Sequence, residues 1–247
     1  MSALNREVNI VADYMDSSIL AQSYVHVEPG WLTELSSEER EERIAEIKKM
    51  IIIYASERMP FFLYKDVEVK VEITEGSIIA KATAYGSLVV MLNHAPSVIK
   101  DYPTYRQGVK AIVADVVRVA DALNTEVLYY TNSRSKREIR SIEARKGIFG
   151  KLDRINNKIN ELDSMIKKKD STPVVVFSKL LDVHKLILES LDEIKDNDDL
   201  IVVRKSIAGG VESLIFRASN FKIKSDADKL ILENVKNEKR KILNNLL

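Results

Sequence analysis

Three residues close together have the types and spacing for metal-assisted hydrolysis: Asp66, Glu68 and Lys70. A carboxylate followed by Glu-x-Lys on a strand is how divalent-metal nucleases hold magnesium and polarise the attacking water. The same alternation places Glu68, Lys70 and Glu72 on the wet face of a half-exposed strand. There, charges guard an edge against unwanted pairing. The solvated face is the plainer reading, because charges alternate on any half-exposed strand.

A basic stripe is the second feature. It comprises Arg134, Lys136, Arg137, Arg140, Arg145, Lys146, Lys151 and Arg154, only partly offset by Glu138, Glu143 and Asp153. Lys and Arg total 38 against 37 Asp and Glu, so such a stripe means that charge is segregated rather than globally basic. It could contact a nucleic-acid backbone or another polyanion through charge-assisted hydrogen bonds. Tyr129 and Tyr130 just before it would suit stacking on single-stranded bases. The competing reading is a solvated helix face, or one that pairs with the acidic run Glu189 to Asp199.

Other chemistries lack their residues. With no cysteine there is no disulfide, thiol nucleophile or thiolate metal site. His26, His94 and His184 do not pair at metal-ligand spacing, so no metal is expected. No Gly-x-Ser-x-Gly elbow, phosphate-cradling loop or dinucleotide fingerprint occurs. Gly147-Ile-Phe-Gly-Lys151 lacks the spacing of a phosphate loop, and no cofactor is expected. His184 lies in an apolar seam and reads as a helix-interface histidine with a satisfied hydrogen bond.

The elements that must carry these residues follow from periodicity. The chain has 247 residues, 45% hydrophobic and 30% charged, with 8 Gly and 5 Pro, which favours a helix-rich globular fold. Leu4, Val8, Val11, Met15 and Ile19 predict an amphipathic helix over residues 4–25. Ser36 with Glu39 reads as a capping box opening a helix that ends before Pro60. Val67, Val69, Val71 and Ile73 alternate with polar residues as a strand. Turns at Glu75-Gly76 and Tyr85-Gly86 then predict a three-stranded antiparallel meander over about residues 66–92, its third strand Leu88 to Leu92.

A helical stripe resumes from Pro103 through Val109, Ile112, Val116, Ala120 and Leu123. Residues 127–131 fit strand or helix, and residues 133–146 read as a polar, basic helix. Beyond them, seams at 4-3 spacing start at Ile148, Phe177 and Leu200, and a last helix spans about residues 226–247. Short breaks between them predict an antiparallel C-terminal helical bundle. The expected fold is α+β and helix-rich, with an α+β domain over residues 1–132 and a bundle domain over residues 133–247.

Two further motifs look specified. Tyr102-x-x-Tyr105-Arg106-x-Gly108 opens the central helix, and an arginine in that first turn calls for a partner such as a carboxylate. Gly209-Gly210 interrupts a helix at a cost of about 1 kcal/mol per glycine, which fits a tight crossing, a hinge or a close ligand contact. The meander, the Tyr-x-x-Tyr-Arg-x-Gly opening and the Arg145-Lys146-Gly147 run resemble uncharacterised bacterial proteins, a likeness that implies no activity.

These observations favour a non-enzymatic assembly, adaptor or regulatory protein of bacterial type, working through helical contacts with a protein partner or a second copy. Nucleic-acid binding through residues 134–154 is the alternative, and a metal-dependent nuclease at Asp66, Glu68 and Lys70 is the third. The stretch Met1 to Asp16 does not read as a secretory signal, and no apolar run approaches the roughly 18–20 residues that span a bilayer. No membrane association and a cytoplasmic location are expected.

Overall fold

The computed structural model describes residues 18–63, 67–74, 77–94 and 99–247. In chain order its elements are β1 (Ser18–Val27), α1 (Trp31–Glu34), α2 (Ser37–Leu63), β2 (Glu68–Thr74), β3 (Ile78–Gly86), α3 (Leu88–Asn93), α4 (Tyr102–Thr131), β4 (Ile139–Arg145), α5 (Gly147–Lys168), α6 (Pro173–Asp192), α7 (Asn197–Glu212) and α8 (Asp226–Leu246). The fold is helix-rich α+β.

The four strands form one antiparallel sheet in the order β2-β3-β1-β4. With α2 and α4 as the crossing helices, the connectivity β-α-β-β-α-β is that of a split βαβ pair. Both helices pack against the sheet. Ala21, Val25 and Val27 of β1 and Ala80, Ala82 and Ala84 of β3 are buried beneath them. The period-two pleat turns Gln22, Tyr24 and His26 to the opposite face. Asn124 of α4 fixes the helix over the sheet. It accepts a buried hydrogen bond from the Ser23 hydroxyl at 2.8 Å and donates to the Glu143 carbonyl at 3.2 Å.

Several expectations change here. The helix expected over residues 4–25 is a strand where it is described, since Ser18–Val27 is β1 (residues 4–17 lie outside the described residues). Its inward residues repeat every second position, and β3 and β4 satisfy its backbone on both sides. The third meander strand, Leu88 to Leu92, is helix α3. Ser87 caps it, and the Asp199 carboxylate accepts from the Leu88 and Val89 amides, both at 2.8 Å. Only β2 and β3 remain of the meander; the Glu75-Gly76 turn lies outside the described residues.

The helix expected to stop before Pro60 continues to Leu63. A proline interrupts one helical hydrogen bond at a cost of about 3 kcal/mol. Complete burial of Met59 and Leu63, worth roughly 1.5–3 kcal/mol each, offsets it. The basic helix expected over residues 133–146 is a turn followed by β4, because the free edge of β1 offers backbone partners that a polar isolated helix lacks. Residues 127–131 are the last turn of α4.

The seams from Ile148 onward fall on α5, α6, α7 and α8. In α5, α7 and α8 the 4-3 residues are buried: Leu152, Ile155 and Ile159; Val203 and Ile207; Val235 and Ile242. On α6 the buried face is Val176, Leu180, Val183 and Ile187, one residue off the seam expected from Phe177. Leu181 and Leu188 of that seam are exposed, because apolar residues cover both sides of this helix and the packing against α5 and α8 selects between them. α5 packs on α4 and α6, and α8 packs on α6 and α7. One apolar cluster runs from Leu20 and Ala84 in the sheet through α4 to Leu246 in α8. Lys239 of α8 donates to the carbonyls of Glu212 at 2.9 Å and Leu214 at 2.7 Å, closing the end of α7. Among the described residues, no helix is long and apolar enough to cross a membrane.

Candidate functional site

A cleft of about 1150 Å³ opens where α3, the start of α4, α5 and α7 meet. Its apolar lining comes from Val89 and Leu92 of α3, Ile159 of α5 and Val202 of α7, together with Ile99 and Ile215. Five cations line it: Lys100, Arg106, Lys167, Lys205 and Arg217, against the carboxylates of Asp101, Asp163 and Glu212.

The local structure already uses some of these charges. Asp101 caps α4 and accepts from the Thr104 amide at 3.0 Å, which holds its carboxyl below the usual range. Lys167 pairs with Asp163, one helical turn away, at 2.5 Å. Arg106 donates to the amide oxygen of Asn160, so the partner of this first-turn arginine is an amide rather than the expected carboxylate. The charged ends of Lys100, Lys205 and Arg217 have no hydrogen-bond or ion-pair partner among the described residues.

The inner wall is built by a close helix crossing. A Cβ on Gly210 would stand 2.5 Å from Cε2 and 2.6 Å from Cζ of Tyr102. The paired glycines of α7 therefore make room for the tyrosine ring that heads α4. The Tyr102 hydroxyl is buried without a partner, as are the Tyr105 hydroxyl and both amide atoms of Asn156. Burial pushes both phenols up, so they stay neutral donors at physiological pH. Asn156, Asn160, Asp163 and Lys167 follow i, i+4, i+7, i+11 spacing, a polar stripe on α5 that runs from the cleft into the interior.

No family model, curated protein or solved structure matches this chain. The site is therefore read from its own geometry.

The basic stripe falls on a turn, an edge strand and the start of α5. Arg140 pairs with Glu28 at 2.5 Å. Arg145 pairs with Glu143 at 2.6 Å, donates to Gln22 at 2.9 Å, and lies 4.2 Å from the centroid of the Tyr24 ring. Lys151 pairs with Glu193, inside the acidic run Glu189 to Asp199. Arg134, Lys136, Arg137, Lys146 and Arg154 form no ion pair among the described residues. Tyr129 and Tyr130 meet edge-on at 5.4 Å.

The turn that begins the stripe is pinned by Glu138, whose carboxylate accepts from the Arg134 amide at 3.1 Å and the Ser135 amide at 2.9 Å. These bonds, the Ser135 amide foremost, lower its carboxyl from the ordinary 4.5 to about 2. A depressed carboxyl supports the fold above its unfolded value and loses that support as pH falls toward the folded value. Amide exchange at Arg134 and Ser135 is therefore expected to stay slow above pH 4.5 and to accelerate as the pH approaches 2. Exchange that is flat over that interval, relative to intrinsic rates, would contradict the pinning.

Of the hydrolytic candidates, Glu68 and Lys70 lie on the same face of β2, and Lys70 pairs with Glu72 at 2.8 Å. That bond raises the Lys70 amine and lowers the Glu72 carboxyl. Asp66 lies outside the described residues. Among the described residues no group of three His, Asp or Glu side chains is placed to hold a metal ion. His184 bonds Glu238 at 2.5 Å through Nδ1 and Asn245 at 2.9 Å through Nε2, tying α6 to α8.

Sequence reasoning picked out Tyr102, Tyr105, Arg106, Gly209 and Gly210, but as two unrelated motifs. It passed over Asn156, Asn160, Lys205 and Arg217. The i, i+4 recurrence of Asn156 and Asn160 inside an apolar seam was the available signal, because amides there need partners.

Proposed function

We propose that this chain is a binding protein with a regulatory role, whose cleft receives a small anionic ligand. The observation that supports the reading is that Lys100, Lys205 and Arg217 line one concave, partly apolar space without partners. Cations on a low-dielectric wall attract anions more strongly than the same charges on an open surface. Of the α5–α8 helices, read as an antiparallel bundle, α5 and α7 supply one wall, and α3 with the head of α4 supplies the other.

Titration calorimetry with pyrophosphate tests the reading. The wild type should bind, more weakly as salt rises, and the double variant Lys205→Ala with Arg217→Ala should lose roughly tenfold or more in affinity. Equal binding by both proteins would overturn it.

Gly210→Ala probes the inner wall. The added methyl runs into the Tyr102 ring, which lines the cleft and must shift, while alanine recovers about 1 kcal/mol of helix propensity. The melting temperature is expected to move by only a few degrees and pyrophosphate affinity to fall severalfold. A large loss of stability with intact binding would refute this.

A second reading is assembly through a helix face. Val174, Leu181 and Leu188 of α6 are 50%, 41% and 46% exposed and stand seven residues apart, the spacing of a coiled-coil seam. Light scattering at micromolar concentration distinguishes a dimer that Leu181→Glu splits from a wild-type monomer. The monomer would exclude self-assembly through this face.

A further inference from the structure

We propose that the anion held in the cleft is a nucleotide, its phosphates at the rim and its nucleoside inward; this rests on the cleft reading above.

Size argues first. Small-molecule sites usually run to about 300–1,000 Å³, and this cleft, at about 1150 Å³, is far larger than phosphate or pyrophosphate fills. A ligand that uses it carries a substantial body beyond its charge.

The lining is also graded. Lys100, Lys205 and Arg217 are exposed and stand at the rim, where a strongly hydrated phosphate keeps part of its water. Inward, the charges give way to neutral hydrogen-bonding groups on an apolar floor. The Asn160 amide still has its NH2 group to offer after accepting from Arg106. The Tyr102 hydroxyl is buried and unpartnered. An amide offers a donor and an acceptor side by side, the pattern that matches the edge of a nucleobase. Val89, Leu92 and Val202 supply the flat apolar contact that a base ring needs.

The carboxylates fit the same ligand. Glu212 lines a cationic cleft, where it would only weaken a bare anion. A carboxylate is the group that accepts hydrogen bonds from ribose hydroxyls.

Calorimetry on the full chain with ADP, GDP, CDP and UDP, against pyrophosphate, tests the proposal. At least one nucleoside diphosphate should bind tenfold or more tighter than pyrophosphate. Tyr102→Phe, which removes one hydroxyl and keeps the ring, should narrow that ratio severalfold. Asn160→Leu should narrow it too; if that variant fails to fold, Tyr102→Phe alone decides. If pyrophosphate binds and responds to the rim variants, but all four nucleotides bind no tighter, the nucleotide is wrong and the cleft reading stands. A nucleotide advantage that Tyr102→Phe leaves unchanged would place the base elsewhere and overturn the proposal. If pyrophosphate affinity is the same with and without Lys205 and Arg217, the cleft reading itself falls, and this proposal with it.

Discussion

Among the glycines of the described residues, Gly147→Ala should be the most destabilising substitution, costing about 3–5 kcal/mol. Gly147 has φ +51, in the left-handed region that side chains rarely adopt. A Cβ there would stand 2.7 Å from the Leu20 carbonyl oxygen and closer still to that of Ile19. Both neighbours are backbone of β1, so neither can swing aside. The start of α5 would have to part from the sheet, carrying Ile148 and Phe149 out of the core. For a chain of this size the melting temperature should fall by roughly 6–20 °C. A loss below 1 kcal/mol in chemical denaturation would show that α5 does not meet β1 in this way.

Asp199→Ala should cost about 3 kcal/mol, with Asp199→Asn costing less. Asp199 is fully buried, and its carboxylate accepts from the Ser87 hydroxyl at 2.7 Å as well as from the Leu88 and Val89 amides. Alanine leaves two amides at the head of α3 without an acceptor, and a buried unmet donor costs about 1–3 kcal/mol. Asparagine keeps one acceptor oxygen. Because Val89 and Val202 line the cleft from the two elements that Asp199 joins, the alanine variant should also weaken pyrophosphate binding. Thermal unfolding within 2 °C of wild type for Asp199→Ala would contradict this role.

These two positions show what the sequence could and could not reveal. Periodicity located the helices α5 to α8, because apolar residues recurring at 4-3 spacing mark a helix whatever lies opposite, but on α6, which is apolar on two sides, it chose the seam one residue away from the buried one. It did not locate β1, β4 or α3. β1 carries residues compatible with a helical stripe, and only its two neighbours, each over fifty residues away in sequence, select the strand. β4 is a charged segment made a strand by the free edge of β1. α3 is an apolar run in which helix and strand compete, decided by a carboxylate 111 residues along the chain. The cleft was hidden for the same reason. Tyr102 and Gly210 were legible as unusual residues, yet their contact joins the head of one helix to another that begins almost a hundred residues later. The basic stripe was legible as charge but not as shape, since Arg140 and Lys151 meet acids that only the fold brings near, while Arg145 pairs with Glu143 two residues away on the same strand.

Amide-resolved NMR of the full chain titrated with pyrophosphate tests the central claim most directly, because the cleft and the basic stripe carry separate reporters. Saturable shifts are expected at Tyr102, Arg106, Asn160, Lys205 and Arg217, with Arg134 to Arg154 following only the weak, salt-like drift of exposed cations. Saturable shifts along Arg134 to Arg154 with the cleft amides unmoved would contradict it.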